Sequence, residues 1–283
     1  MSKKFSLFIL SLVSVALVVA ATSTAFAQRG KITEYASPLD PSAKPTPIYV
    51  GPAGGINILG HSLEVRTFSD DVQCPTFTNP NGLGFYGGFT FEYLLGKDPS
   101  ISNSSIIVRA LYNTYPGNTK EDGDRYPSAN PSTNEIVYSS TEHDLDIKCD
   151  AVTLEVMYKF NPIPGFGLGV VAGPAIDYIL TKTWKQRYML VGDPLHVQFV
   201  KSPKYTYEDN DRTAVIRDED IPDASSIRLG LKAGVQYEIL LGSKFYVVPS
   251  LSYNFGITSF LSEHNWRISP LQIGLDARYA FAL

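Results

Sequence analysis

From residue 47 onward, the sequence is dominated by long segments in which apolar residues alternate with polar or small ones at a period of two. In 85–95, for example, Phe85, Phe89 and Tyr93 occupy odd-numbered positions, whereas Glu92 occupies an even-numbered one. Because successive side chains of a β-strand point to opposite faces of its sheet, this alternation predicts strands with one apolar face. The pattern recurs in eight segments, which are 48–60, 85–95, 105–115, 152–160, 166–181, 227–240, 245–257 and 271–283.

The lengths of these segments and of their connections constrain the fold further. Strands of ordinary globular sheets average about 5–6 residues, whereas a strand that crosses a membrane needs roughly 9–11. Long polar connections at 61–83, 116–143, 182–225 and 258–268 alternate with short ones at 96–104, 161–165 and 241–244. The sequence therefore predicts an all-β fold, an eight-stranded antiparallel transmembrane β-barrel with both chain ends on the periplasmic side. In 144–151 the apolar residues alternate in the opposite phase to those in 152–160. This inversion predicts a β-bulge near Asp150.

Two features of the alternation predict which face of the strands meets lipid. The polar face is rich in glycine, which weakens a strand and therefore indicates crowding inside a narrow barrel. Aromatic side chains lie near the ends of the apolar face, as in the interfacial girdles of outer-membrane barrels. A secreted barrel with an apolar interior, such as a lipocalin, is the alternative. Both features favour apolar side chains outside, and eight strands enclose too little space for an open pore.

The N-terminal segment has the features of a cleaved export signal. Within 1–27, two lysines precede an apolar run, and a small-x-small cleavage signature ends at Ala27. We therefore expect the mature chain to begin at Gln28, outside the cytoplasm. Three prolines within 28–46, followed directly by Pro47, make 28–46 an extended linker. The barrel occupies 47–283.

Charged residues on the polar face would lie in the lumen of the barrel. Buried charges are tolerated only when they are paired, so we expect a structural network of ion pairs. A proton or ion path through the lumen is the alternative. Strand positions, taken without shear, place Arg109 level with Glu92 and Glu155 and match Asp177 with Arg228. The expected network consists of Glu92, Arg109, Glu155, Lys159, Asp177, Arg228, Lys232, Glu238, Asp276 and Arg278.

Two stretches of the sequence resemble known barrel families. The last strand, Gln272-Ile-Gly-Leu-Asp-Ala-Arg-Tyr-Ala-Phe-Ala-Leu283, resembles the C-terminal assembly signal of OmpA-type outer-membrane proteins, although it ends in Leu rather than Phe. The stretch from Leu154 to Pro174 resembles the PorT-like outer-membrane β-barrel family. The resemblance implies insertion into the outer membrane of a Gram-negative bacterium and recognition of the last strand by the barrel-assembly machinery. One PorT-like branch is associated with protein secretion.

A group of cations lies at the outer margin of the fifth segment. Lys182, Lys185 and Arg187 alternate with aromatic residues there. Such cations could pair with lipopolysaccharide phosphates while the aromatic rings occupy the membrane interface. Ordinary solvated charge is the alternative.

The two cysteines of the chain, Cys74 and Cys149, both fall on the exterior side of the predicted barrel. Disulfides form and persist in the oxidising compartments outside the cytoplasm. We therefore expect a disulfide between them, provided that the two residues prove close enough.

The histidines offer the one candidate for catalysis. All four fall in or beside the outward loops, and a constellation of His61, His143 and Ser262 would place an imidazole near a hydroxyl. Scattered loop histidines are usually only exposed, and no spacing typical of zinc sites occurs. We therefore predict no catalytic, metal or cofactor site.

The function expected from these features is that of a monomeric integral membrane protein that is not an enzyme. Its role would be structural or in surface interaction, with a long third loop that contacts a partner outside the cell. A net charge of −4 gives no basic surface for nucleic acid. The alternatives are a component of a protein-secretion assembly and an enzyme that modifies lipid at the outer rim.

Overall fold

A computed structural model of the chain describes residues 47–66, 76–95, 102–129, 133, 135–163, 166–191, 197–241, 244–261 and 266–282. The predicted signal peptide and linker lie outside the described residues, as do Cys74 and Ser262. Among the residues described, no helix is long and apolar enough to cross a membrane.

Eight long strands close into a barrel, and each overlaps one of the segments predicted from the alternation. All neighbours are antiparallel, and the ring closes where the first strand pairs with the last, for example Ile48 with Phe281. The predicted fold class, an eight-stranded antiparallel transmembrane β-barrel, is therefore confirmed. The strands are β1 (Pro47–Ser62), β2 (Asn81–Leu95), β3 (Ser104–Thr114), β4 (Ile136–Phe160), β5 (Leu168–Val191), β6 (Ile227–Tyr237), β7 (Phe245–Gly256) and β8 (Arg267–Ala282).

Side chains along these strands alternate between an exposed exterior and a buried interior. On β2, Phe89 and Phe91 are exposed, whereas Thr90 and Glu92 between and beside them are buried. The exposed side chains form an apolar belt around the barrel. Its outer edge is marked by Ile56, Leu83, Tyr112, Val152, Leu180, Ile227 and Ile257, and its inner edge by Tyr93, Phe160, Val170, Phe245 and Phe281.

A glycine in the lumen shows why the polar face needs residues without side chains. The ring of Tyr86 lies inside the barrel directly over Gly274, and a Cβ added to Gly274 would overlap the Tyr86 hydroxyl. Close packing of this kind leaves no room for the missing methyl group. The crowding expected from the glycine pattern is therefore present at this position.

One residue departs from the predicted parity. The alternation predicts Tyr237 on the outer face, but its side chain is buried and packs edge-on against Phe166, with ring centroids 5.4 Å apart. The reason is a break in the strand at Glu238, after which Ile239–Leu241 resumes pairing with β7. Pairing with β7 stops at Gln236 and resumes at Ile239 in the same register, so the irregularity is confined to Tyr237 and Glu238.

Two of the predicted long loops are largely sheet. β4 and β5 remain paired from Asp150 up to Ser140, about 33 Å along the strand at about 3.3 Å per residue. Thr213–Asp220 adds to β5, and Gly117–Asp122 adds to β4. Much of the long polar connections at 116–143 and 182–225 is therefore strand that extends the sheet beyond the barrel. We name the paired segments 140–150, 181–191, 213–220 and 117–122 the upper sheet. The predicted bulge is confirmed by a register shift between Asp150 and Ala151.

Apolar clusters occupy both ends of the barrel. The inner cluster consists of Tyr49, Leu94, Tyr246, Val248 and Ala280. The outer cluster is larger and joins the outer ends of the strands to the segments between them. Its members are Leu59, Leu63, Phe77, Tyr115, Leu145, Ile147, Cys149, Ala151, Ile179, Trp184, Ile221, Ala224, Phe260, Leu261, Trp266 and Ile268.

Candidate functional site

The lumen contains all ten charged residues expected there, and none exposes more than 9% of its surface. Six of them form a connected chain near the inner end, which we call the lower network. Arg278 lies 2.5 Å from both Glu92 and Asp276, and Arg109 lies 2.7 Å from Asp276. Lys159 completes the lower network by pairing with Glu92 and Glu238. Because every member has an oppositely charged partner, the cost of burying each charge is offset.

A second ion pair lies above the lower network. Lys232 Nζ is 2.6 Å from Glu155 Oε1, and both side chains are almost completely buried. The ammonium group also lies 6.0 Å from the centre of the Tyr86 ring, within the range of a cation–π interaction. The aromatic ring therefore both fills the lumen and contacts a buried cation.

The third ion pair lies nearest the outer cluster. Arg228 is 2.5 Å from Asp177, its direct cross-strand partner, and its guanidinium lies 5.1 Å from the centre of the Tyr115 ring. Arg228 also donates a hydrogen bond to the backbone carbonyl of Ile268. The strand positions in the sequence matched these two charged residues, and the structure places them in contact.

One predicted proximity within the network differs in the structure. Arg109 is the cross-strand neighbour of Glu155, but its ion pair is with Asp276 on the far side of the lumen. Glu155 pairs with Lys232 instead. In a closed barrel the strands are tilted and staggered, so residues at equal positions along neighbouring strands do not lie at equal heights. A lumen this narrow also lets long side chains reach across it.

A layer of neutral polar side chains lies beside the charges and was not singled out from the sequence. Asn57 Nδ2 donates to Asn113 Oδ1 at 3.1 Å, and Gln272 Nε2 donates to Asn57 Oδ1 at 2.8 Å. Asn113 Nδ2 donates to Thr153, whose hydroxyl donates to Asp177 at 2.6 Å. The sequence does contain the information needed to find this layer, because these residues fall on the same face of the alternating strands as the charged residues of the lumen.

The cations proposed for lipopolysaccharide all have protein acceptors. Lys182 donates to the carbonyl of Ala224, and Lys185 Nζ lies 2.7 Å from Glu208. Arg187 pairs with Asp144 at 2.9 Å and also with Asp146. These contacts hold the upper sheet together, so binding of lipid phosphates by these residues stays a prediction.

The remaining cysteine and histidine candidates are enclosed. Cys149 is a buried free cysteine, and because Cys74 lies outside the described residues the disulfide stays a prediction. His143 is buried and stacks on Tyr188 with ring centroids 4.4 Å apart, and burial lowers its pKa. No group of three or more potential metal ligands occurs in the part of the chain that the structure describes.

His61 lies at the outer end of β1, beyond the apolar belt, and is 2% exposed. Its Nδ1 accepts a hydrogen bond from Trp266 Nε1 at 3.1 Å, and its Nε2 lies 3.2 Å from the carbonyl oxygen of Pro116. Burial lowers its pKa to about 4. Both ring nitrogens therefore form hydrogen bonds that join the outer end of β1 to Pro116, after β3, and to Trp266, before β8.

Comparison with known proteins gives likenesses among solved structures. No protein-family model and no curated protein sequence matches the chain. Neisserial surface protein A is similar at 14% identity and a TM-score of 0.36, covering 83% of this chain and 97% of that one. Outer membrane protein OprG from Pseudomonas aeruginosa is 12% identical with a TM-score of 0.34, covering 86% and 99%. Outer Membrane Protein W from E. coli is 12% identical with a TM-score of 0.33, covering 84% and 99%.

Proposed function

We propose that this protein is an integral outer-membrane β-barrel that has a structural or surface-interaction role and no open pore. The observation that carries the proposal is the apolar belt, which surrounds an interior filled with paired charges. Side chains such as Phe89 and Leu83 expose 68% and 67% of their surface. So much apolar surface around a whole barrel is stable in hydrocarbon and not in water.

The absence of a pore is supported by what fills the lumen. Five acids pair with five bases there, and large side chains such as Arg278 and Lys159 are fully buried among them. The inner and outer clusters add apolar side chains at either end. An eight-stranded barrel has just enough interior volume for such filling.

A role in surface interaction is supported by the upper sheet. It extends well beyond the apolar belt and is braced by ion pairs such as Arg187–Asp144 and Lys185–Glu208. A rigid sheet held outside the membrane can present a fixed surface to an extracellular protein. Within the proposal, the barrel is a monomer, the barrel-assembly machinery recognises β8, and the signal peptide directs export and is cleaved after Ala27.

Three measurements on membranes test the proposal. Unboiled protein should migrate differently from boiled protein on a gel, because a closed barrel resists unfolding by detergent. N-terminal sequencing should begin at Gln28. Reconstituted protein should give neither ion conductance nor swelling of vesicles in sugar solutions. A mature chain that stays monodisperse in buffer without detergent would refute the membrane assignment, and a stable conductance would refute the sealed lumen.

The two alternative functions make different predictions. A PorT-like role in secretion predicts that deletion of the gene abolishes export of cargo proteins, whereas a structural barrel leaves export intact. The enzyme alternative needs His61 or His143 as a base near Ser262. Both histidines are buried, and both ring nitrogens of His61 already have partners. We therefore favour the non-enzymatic role, and unchanged lipid A in cells that carry His61→Gln would agree with it.

A further inference from the structure

The hydrogen bonds of His61 require one particular protonation state. Trp266 Nε1 can only donate, so His61 Nδ1 must carry a free lone pair to accept from it at 3.1 Å. The Nε2 atom must then carry the proton, which it donates to the carbonyl oxygen of Pro116 at 3.2 Å. Both bonds can exist together only when the ring is neutral and in this tautomer.

Trp266 is the point at which the outer segments meet. Its side chain is fully buried, and its ring packs edge-on against Phe260 with centroids 4.8 Å apart. Its carbonyl accepts from the backbone N–H of Phe260, whose own carbonyl accepts from Ser225. The bond to His61 therefore ties β1 to the segments that precede β6 and β8.

We propose that His61 is an acid-sensitive latch that holds the outer segments closed over the barrel while its ring is neutral and releases Trp266 when the ring is protonated. Protonation places an N–H on Nδ1, opposite the N–H of Trp266, so the hydrogen bond becomes a contact between two donors. It also creates a charge in an apolar cluster, which is costly without a counter-ion. Both effects push Trp266 away from His61.

Of the charged and titratable groups around His61, Arg228 reinforces this behaviour. Arg228 on β6 is the charge that acts on it, and its positive sign disfavours the imidazolium. Asp177 on β5 is bound to Arg228, while Tyr115 after β3 and Cys149 on β4 belong to the same outer cluster. Burial is the larger effect and lowers the pKa of His61 to about 4. The latch is thus closed near neutral pH and opens as the pH falls from about 6.5 toward about 4.

Tryptophan fluorescence of the folded barrel tests the latch directly. The chain has two tryptophans, so Trp184→Phe leaves Trp266 as the single reporter. On acidification we expect its emission to shift to the red and its quenching by acrylamide to increase, while unboiled protein keeps the gel mobility of the folded barrel. A constant spectrum down to about pH 4 would overturn the proposal. Loss of the folded gel form over the same range would also overturn it, because the whole barrel would then be unfolding.

A matched pair of variants separates the latch from general acid effects. In His61→Gln, the amide oxygen can accept from Trp266 and the amide N–H can donate to Pro116, but the side chain does not titrate. We expect this variant to keep the neutral-pH spectrum and to lose the acid response. His143→Gln, which removes a second buried histidine, should leave the response in place. An unchanged acid response in His61→Gln would contradict the proposal.

A second measurement applies should His61→Gln fail to give the folded gel form. Histidine ring carbons labelled in the Trp184→Phe protein report the protonation of His61 by NMR. Its resonance should titrate over the same pH range as the Trp266 emission. A His61 resonance that stays neutral while the emission changes would refute the latch.

Discussion

Arg109 and Asp276 are 167 residues apart in the chain, and they form a buried ion pair of 2.7 Å across the lumen. Asp276 also lies 2.5 Å from Arg278, so it has two cations within reach. Asp177, in contrast, depends on Arg228 as the cation bound to it among the described residues. The charges of the lumen therefore differ in how much support each would keep when a partner is removed.

We expect Arg228→Met to destabilise the barrel by about 3–5 kcal/mol, because it leaves the Asp177 carboxylate buried without its cation. Arg109→Met should cost less, since Asp276 keeps Arg278. The measurement is the free energy of unfolding in urea, followed by gel mobility in lipid vesicles. Adding Asp177→Leu to Arg228→Met should recover much of the loss. Equal losses for the two single variants would show that the ion pairs are not arranged as described.

Packing in the lumen can be tested at a single glycine. Gly274→Ala should cost about 1–3 kcal/mol, because the new methyl group overlaps the Tyr86 side chain. Gly87→Ala is the control, since no atom lies within 4 Å of its added Cβ, and we expect a change within about 0.5 kcal/mol. The cost of Gly274→Ala should fall in a Tyr86→Leu background. Without such coupling, the close approach of these two residues would be refuted.

The barrel was predictable from sequence because a strand between lipid and a packed lumen has two faces of opposite chemistry. The upper sheet was not predictable in this way, because beyond the apolar belt its outer face contacts water and carries ion pairs. Asp144, Asp146, Lys185 and Arg187 form such pairs there. The register shift between Asp150 and Ala151 also changes the phase of the pairing with β5. In a sequence, polar residues that alternate with half-buried ones are hard to distinguish from a solvated loop.

The partners of the lumen charges were harder to predict than their location. Parity alone places Glu155 and Lys232 inside the barrel. Which acid meets which base depends on strand tilt, and on side chains that reach across the interior rather than to the next strand. The role of His61 was also missed, because the sequence gives no sign that Trp266, 205 residues away, donates to it.

The thiol of Cys149 should be unreactive in the folded protein. It is 1% exposed, lies above the apolar belt, and burial raises its pKa to about 12. The thiolate is the reactive form, so both access and ionisation are suppressed. In a Cys74→Ser variant, we expect no alkylation by iodoacetamide at mildly alkaline pH until the sample is boiled. Rapid labelling of unboiled protein would place Cys149 at the surface, whereas mass spectrometry of the wild type tests for its disulfide with Cys74.

The upper sheet should loosen locally when its central ion pair is removed. Arg187 binds the carboxylates of Asp144 and Asp146 while exposing 24% of its side chain. Partial burial lowers the pKa of Arg187, but the hydrogen bonds to these two carboxylates outweigh it and raise the pKa overall. Charge-assisted bonds of this kind contribute about 1.5–3 kcal/mol each. We therefore expect Arg187→Ala to speed amide exchange in residues 182–191, measured by mass spectrometry, while the amides of the barrel below keep their protection.

The control for this prediction is Lys120→Ala, on the strand that pairs with β4 on the side away from β5. Lys120 pairs with Glu142 at 2.7 Å but is 53% exposed, and such exposed pairs contribute about 0–1 kcal/mol because water and salt screen them. Exchange in 182–191 should then stay close to that of the wild type. If both variants loosened the sheet equally, its rigidity would come from backbone pairing, and Arg187 would not be the residue that braces it.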